Sequence, residues 1–360
     1  MRLAAFLPVF GIIWGQVPPP LQQPWEGVPE AYRKLPIGKL RIPATLDEWQ
    51  RQREQVRSIV LACLGERPPR PKPLSVRTLW RERKEGYAVE KFVFSNGVDS
   101  EVPGYLAVPE GRPGRMPAVL AMHGHGSSKE DIFGYRASSQ DVAGLLARRG
   151  YVVMAIDNYF AGERRGTGPA GELERMERGS DQEMSLFKLN LWLGRTLWGM
   201  MLRDEQIALD YLASRPEVDP KRIAAQGMSM GSTRSWWLGA IDERIRAVVA
   251  VACFTRYEDL IAIRALRAHG IYYFVPGILK HFDSEGIMAL LPPRPLLALT
   301  GDRDLGSPPE GMKKLEQILA RFYRLYGKPE QFRSIIYPET GHVYTDQMKQ
   351  QMLEWFDKYL

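Results

Sequence analysis

The sequence predicts an α/β fold in which helices flank a mostly parallel central sheet. Three observations lead to this prediction: short continuous apolar runs typical of buried parallel strands, helical segments between them, and polar or glycine residues where the runs end. Strands and helices in alternation favour right-handed crossovers within one sheet. At 360 residues, the chain is long enough for one large domain with additions to it.

Residues 1–15 are predicted to be a signal peptide. Arg2 gives this segment a positively charged start, residues 3–14 are mainly apolar, and Gly15 offers a small residue for cleavage. A buried N-terminal helix is the alternative. No later run reaches the roughly 20 apolar residues that a membrane-spanning helix needs. We therefore expect an exported protein, periplasmic or extracellular, without a stable membrane span.

A proline-rich N-terminal arm that contains one helix is predicted for residues 16–86. Within it, residues 46–64 place Trp49, Val56 and Val60 near one face of an amphipathic helix. A proline cluster at residues 68–73 ends this arm. The catalytic domain is then expected to occupy residues 87–360.

The predicted sheet starts with a hairpin, because apolar residues alternate on both sides of Asn96-Gly97, a pair that favours a tight turn. Further strands are expected at residues 118–122, 151–156, 245–252, 296–300 and 332–337, with one more directly before Gly227. Helices are expected at residues 141–149, 232–238, 310–326 and 344–360, and residues 186–213 predict one long helix or two.

Residues 254–294 interrupt this alternation and are rich in aromatic side chains. Open α/β sheets bind ligands at the carboxyl edge of their strands, so an insertion there is a natural substrate cap. Additional core helices are the alternative for these aromatic residues.

Composition narrows the classes of function. The net charge is +7, but the basic residues are scattered among acidic ones. The sequence shows no basic face with aromatic platforms, so we do not expect nucleic-acid binding. The two cysteines, Cys63 and Cys253, each follow apolar residues and are expected to be buried free thiols. We expect neither a metal nor a cofactor, because the sequence shows no cluster of ligand residues.

The pattern Gly-x-Ser-x-Gly occurs at residues 227–231, between a predicted strand and a predicted helix. A serine hydroxyl is a useful nucleophile only where it is exposed and lies next to a base. The two glycines leave room for a sharp turn, and the following helix directs its N-terminal amides at the reacting oxygen. This context predicts Ser229 as the nucleophile; an incidental serine in a glycine-rich turn is the alternative.

Two other strand ends supply candidates for an acid and a base. Asp302 and Asp304 follow the strand at residues 296–300, and His342 follows the last predicted strand. A serine nucleophile requires a base within hydrogen-bond reach, and that base requires an acceptor that fixes its tautomer. His342 is the only histidine downstream of both acids. It is therefore the predicted base, and this reasoning leaves either aspartate as its partner.

With these motifs and the His-Gly-His-Gly sequence at residues 123–126, the chain resembles α/β-hydrolases. The similarity is to the branch that includes dienelactone hydrolase, prolyl oligopeptidase and acetyl xylan esterase, and it covers about residues 87–360. It implies the α/β-hydrolase fold. It also implies Asp304 as the acid, because that branch places its acid last in Gly-x-x-Asp, shortly before a proline. The implied oxyanion hole consists of the backbone amides of His125 and Met230.

Three departures limit what the resemblance implies about function. The predicted nucleophile is serine rather than the cysteine of dienelactone hydrolases, and residues 16–86 are too few for the propeller of prolyl oligopeptidases. Gly231-Ser232 also replaces the Gly-Gly of many acetyl xylan esterases. The expected function is hydrolysis of small acyl or sugar-linked esters through an acyl-enzyme. A peptidase of the same fold and a non-catalytic binding protein are the alternatives.

Overall fold

The computed structural model describes residues 24–137, 140–166 and 181–360, so the predicted signal peptide lies outside the described residues. Its strands are β1 Val76–Lys84, β2 Tyr87–Ser95, β3 Glu101–Pro109, β4 Met116–Met122, β5 Val152–Ile156, β6 Val218–Met228, β7 Ile245–Val251, β8 Leu296–Gly301 and β9 Phe332–Tyr337. Its helices are α1 Glu30–Arg33, α2 Leu46–Cys63, α3 Lys129–Ile132, α4 Val142–Arg149, α5 Asp181–Trp192, α6 Leu197–Ser214, α7 Met230–Ile241, α8 Tyr257–Ala262, α9 Ser284–Met288, α10 Pro309–Leu325 and α11 Asp346–Tyr359. None of the helices in the described ranges is long and apolar enough to cross a membrane.

One sheet of nine strands organises the molecule, in the order β1-β2-β3-β5-β4-β6-β7-β8-β9. The first three strands pair antiparallel, β3 is antiparallel to β5, and every neighbouring pair from β5 to β9 is parallel. The predicted α/β class with a mostly parallel sheet is confirmed. Because β4, β6, β8 and β9 are parallel, their carboxyl ends lie at one edge of the sheet, and the predicted site residues follow those ends.

The sheet begins earlier than the sequence predicted. Strand β1 pairs with β2 from Val76 opposite Phe94 to Lys84 opposite Tyr87, so the segment at residues 16–86 contributes one strand to the sheet. None of the residues of β1 is fully buried. An exposed edge strand held by backbone pairing lacks the apolar pattern on which the prediction relied.

The predicted hairpin of β2 and β3 forms, but its connection is longer than a two-residue turn. Asn96 lies at the start of the loop and is buried. Its side-chain oxygen accepts hydrogen bonds from the amides of Val98, Asp99 and Ser100 at 3.0, 3.1 and 3.2 Å. The asparagine therefore folds the loop through its side chain.

The helix of the N-terminal arm is part of the main core. Trp49 of α2 is fully buried, and its ring centroid lies 4.6 Å from that of Phe322 in α10. One face of the sheet is covered by α2, α6, α7 and α10, and the opposite face is covered by α4 and α11. The arm therefore does not form a separate layer.

The segment at residues 254–294 contains α8, α9 and three short 3-10 turns. Five of its aromatic side chains are buried, and Phe274 is 38% exposed. The buried ones are Phe254, Tyr257, Tyr272, Tyr273 and Phe282. Most of the aromatic residues in this segment thus pack as core, in line with the alternative interpretation.

Candidate active site

Ser229 lies on the turn between β6 and α7, with φ of 60° and ψ of −122°. Its amide donates to the carbonyl of Val251 at 2.9 Å, and its own carbonyl accepts from the amide of Thr233 at 3.1 Å. A non-glycine residue with positive φ costs about 1–3 kcal/mol, and such residues cluster at functional sites. The strand, the turn and the helix that the sequence predicted around Ser229 are all present.

The two glycines of this turn are required by close backbone contacts. A Cβ atom on Gly231 would lie 2.0 Å from the carbonyl oxygen of Met122, at the end of β4. A Cβ atom on Gly227 would lie 2.4 Å from the carbonyl carbon of Gly231. The turn is therefore pressed against the neighbouring strand end, which brings Ser229 beside the loop that follows β4.

His342 and Asp304 meet at the same edge of the sheet. Nδ1 of His342 lies 2.9 Å from Oδ2 of Asp304. Asp304 is only 2% exposed. The other carboxylate oxygen of Asp304, Oδ1, accepts a hydrogen bond from the amide of Gly306 at 2.8 Å. Asp302 instead accepts a hydrogen bond from the amide of Thr340 at 3.2 Å. Of the two aspartates that the sequence left open, Asp304 is the one hydrogen-bonded to His342.

Each member of this pair shifts the pKa of the other. Burial alone would raise the pKa of Asp304, but the charge and hydrogen bond of His342 and the Gly306 amide outweigh burial and lower it. Burial alone would lower the pKa of His342, but the charge and hydrogen bond of Asp304 outweigh burial and raise it. An ionised Asp304 accepts only, so Nδ1 carries a proton and Nε2 of neutral His342 is left as the basic nitrogen.

The His-Gly-His-Gly loop after β4 is held by buried hydrogen bonds. Nε2 of His123 accepts the amide of Asn158 at 3.1 Å, so its Nδ1 donates to the carbonyl of Gly124 at 2.9 Å. Burial lowers the pKa of His123 well below its ordinary value. The carbonyl of His123 accepts from Arg234, whose guanidinium is paired with Glu205 in the interior. His123 therefore braces the loop, and both of its ring nitrogens are occupied.

The two residues predicted to supply oxyanion amides flank Ser229. Met230 begins α7 and is buried, and His125 lines the same cavity as Ser229. Nε2 of the His125 side chain lies 2.7 Å from Oε2 of Glu183 in α5. The other oxygen of Glu183 accepts the amide of Tyr272 at 3.2 Å. Glu183 could not be predicted from the sequence, because it is distant in the chain from the other site residues and belongs to no motif.

Cys253 is a neighbour of Ser229 that the sequence pattern did not indicate. It is buried and free, as predicted, and its thiol lies near the side chains of Ser229 and Thr233. Burial raises the pKa of the thiol well above its ordinary value, which keeps it protonated. Its position directly after β7, at the same sheet edge as Ser229, is the signal that could have revealed it.

A cavity of about 540 Å³ opens at Ser229. Its wall comes from the segments around residues 122–142, 226–229 and 342–344: Met122, Gly124, His125, Ser127, Asp131, Ile132, Gln140, Val142, Gln226, Met228, Ser229, His342, Val343 and Tyr344. The segment at 254–294 supplies none of these residues. The described ranges contain no group of three or more acidic, histidine or cysteine side chains that could hold a metal ion. The cavity therefore brings together Ser229, His342 and the His125 loop.

Comparison with known proteins identifies the family of this chain. Residues 34–358 match the family described as "Abhydrolase family". The chain belongs to the Abhydrolase family. It is also 34% identical over 319 residues to "Putative hydrolase YtaP" of Bacillus subtilis (strain 168), covering 86% of this chain and all of that protein. The predicted resemblance and the prediction of a hydrolase enzyme are confirmed.

Solved structures of esterases share the Abhydrolase fold of this chain. A "putative acetyl xylan esterase (BF1801)" from Bacteroides fragilis NCTC 9343 superposes with a TM-score of 0.71 at 19% identity, covering 92% of this chain and 93% of that one. The "Glucuronoyl Esterase from Solibacter usitatus" gives a TM-score of 0.66 at 16% identity, covering 92% and 98%. At these identities the likeness demonstrates the shared fold.

Proposed function

We propose that this Abhydrolase member is a serine carboxylesterase that acts on small acyl or sugar-linked esters. The observation that supports this most strongly is the shared cavity of Ser229 and His342, with His342 hydrogen-bonded to the buried carboxylate of Asp304. A strained serine, a histidine and a buried acid at one sheet edge match the requirements of nucleophilic acyl transfer.

In the proposed reaction, Nε2 of His342 removes the proton from Ser229 Oγ as this oxygen attacks the ester carbonyl carbon. The tetrahedral intermediate carries a negative oxygen that accepts hydrogen bonds from the amides of Met230 and His125. The intermediate collapses to an acyl-enzyme, and His342 gives its proton to the departing alcohol. His342 then takes a proton from water, whose oxygen attacks the acyl carbon. As the bond between this carbon and Ser229 Oγ breaks and the acid leaves, His342 returns the proton to Oγ. Asp304 stabilises the imidazolium in both steps.

The substrate class rests on the named relatives and on the cavity. The two esterases of similar fold are named for acetyl xylan and glucuronoyl esters, which are esters of carbohydrates. The cavity at Ser229 carries polar side chains among apolar ones, as a sugar ring requires. We also propose export of the protein, directed by residues 1–15; sequencing the N-terminus of the protein recovered outside the cytoplasm tests this.

Replacement of Ser229 tests the proposed function. The variant Ser229→Ala should lose hydrolysis of p-nitrophenyl acetate, with the circular dichroism spectrum unchanged, because the nucleophile is removed without loss of packing. The wild-type protein should be labelled by a fluorophosphonate at Ser229 and the variant should not. Full activity in Ser229→Ala would overturn the proposal. Failure of the wild-type protein to be labelled would favour a binding protein, and faster cleavage of peptide amides than of esters would favour a peptidase.

A further inference from the structure

One polar side chain in the wall of the cavity at Ser229 has no role in the proposed reaction. Gln226 precedes Ser229 by three residues on β6 and is 2% exposed. Its Oε1 atom is buried and accepts no hydrogen bond from any residue that the structure describes. Of the buried side-chain atoms left without a partner in the described ranges, only Gln226 Oε1 belongs to this cavity wall.

The sheet around Gln226 gives no structural reason for a carboxamide. Its partners in the neighbouring strands are Ala121 of β4 and Val249 of β7, both apolar and buried. A buried carbonyl without a donor bears the full cost of its desolvation, whereas an apolar side chain of the same size would not. A glutamine in this position is therefore better explained by something that enters the cavity.

We propose that the carboxamide of Gln226 binds a hydroxyl group of the substrate. This inference rests on the proposed function and deepens it by naming the substrate class. A carboxamide offers both donors and an acceptor, and a hydroxyl group likewise donates and accepts, so the two complement each other in either orientation of the amide.

The rest of the cavity fits a hydroxylated ring. Ile132, Val142 and Met228 supply apolar contacts, and Ser127 and Asp131 add polar groups to the same wall. A ring with apolar faces and hydroxyl edges meets both kinds of surface. The substrate is accordingly an ester of a polyhydroxylated ring, and a hydrocarbon ester of the same size leaves the Gln226 carboxamide unpaired.

The test compares monoacetylated methyl xylopyranoside with cyclohexyl acetate, two acetate esters of six-membered rings with and without hydroxyl groups. The wild-type enzyme should show a higher kcat/KM for the sugar ester. In Gln226→Met, which keeps the size of the side chain, this preference should fall about tenfold, because one hydrogen bond to the substrate is lost. The loss should appear mainly in the sugar ester. The control Gln55→Met makes the same exchange at an exposed position of α2, outside the cavity wall, and should leave the preference unchanged.

Labelling of Ser229 by a fluorophosphonate, measured in each variant, reports whether the nucleophile is intact. An unchanged preference in a labelled Gln226→Met protein overturns the inference, as does an equal loss with both esters. If Gln226→Met does not fold, the wild-type measurement decides, since equal kcat/KM values for the two esters also overturn it. These results differ from failure of the proposed function, in which the wild-type protein hydrolyses neither ester and Ser229 is not labelled.

Discussion

At the scale of single residues, the proposed reaction depends on the protonation of His342. Asp304 raises the pKa of His342 above its ordinary value of 6.5, and His342 lowers that of Asp304 below 3.8. Only neutral His342 accepts the proton of Ser229. Activity should therefore be lost as the pH falls through the raised pKa of His342, while Asp304 stays ionised throughout that range.

The pH profile of kcat/KM tests this coupling. For the wild-type enzyme, the acidic limb should lie above pH 6.5. In Asp304→Asn the rate should fall by about 10³- to 10⁴-fold, as when the carboxylate of a Ser-His-Asp triad is replaced. The remaining activity should have its acidic limb at lower pH, because the charge that raises the pKa of His342 is gone.

Asp302→Asn is the matched control, since Asp302 accepts a hydrogen bond from the backbone amide of Thr340, whereas Asp304 is hydrogen-bonded to His342. Its rate should stay within about threefold of wild type, and its acidic limb should not move. A larger loss in Asp302→Asn than in Asp304→Asn would contradict the assignment of the acid.

At the scale of elements, the site depends on the strand end, the turn and the helix around Ser229. Gly231 permits the turn to approach β4, and the first amides of α7 lie directly after the serine. The next strand ends in a second strained turn, with Ala252 and Cys253 at φ of 60° and 53°. The two turns are joined by the hydrogen bond from the amide of Ser229 to the carbonyl of Val251, and they place Ser229 beside Cys253.

Gly231→Ala should inactivate the enzyme, because the added Cβ would lie 2.0 Å from the Met122 carbonyl oxygen. Urea unfolding should show a loss of about 1–3 kcal/mol or more, the usual cost of overpacking. The control Gly327→Ala places a methyl group in open space at a left-handed position. It should cost about 1 kcal/mol and leave activity intact. A fully active Gly231→Ala protein would show that the close contact is not needed.

The sequence was informative where local pattern and chemistry coincide. Apolar runs predicted the parallel strands, and polar residues after them marked Ser229, His342 and the two aspartates. Reasoning from strand ends alone left Asp302 and Asp304 open as the partner of His342, because both follow the same strand. The resemblance to α/β-hydrolases implied Asp304, and the hydrogen bond of His342 is with that residue. Glu183 and Gln226 were missed for a related reason: one contacts the site from a distant helix, and the other lies inside a strand with no motif of its own.

At the scale of the whole molecule, helix α2 of the N-terminal arm and the central sheet share one core. Trp49 is buried against Phe322, and Arg53 donates to the carbonyl of Leu290 at 3.2 Å. The sequence predicted the helix but treated it as an addition, because helical periodicity does not reveal what a helix packs against. Shared burial implies that the arm and the sheet unfold together.

Trp49→Ala should lower the free energy of unfolding by about 3–5 kcal/mol, as expected for removal of a large buried aromatic side chain. Unfolding in urea should remain a single transition, and loss of esterase activity should coincide with it. Gln55→Ala, an exposed change in the same helix, should alter stability by no more than about 0.5 kcal/mol. A separate early transition that leaves activity intact would show that the arm folds independently.

The central claim is that Ser229 carries the acyl group during turnover. Rapid acid quenching during hydrolysis of p-nitrophenyl acetate, followed by mass spectrometry of the digested protein, tests it most directly. The account predicts one acetyl group on the peptide that contains Ser229, and none in the Ser229→Ala variant. An acetyl group on another residue, or hydrolysis that proceeds at the full rate in Ser229→Ala, would contradict it.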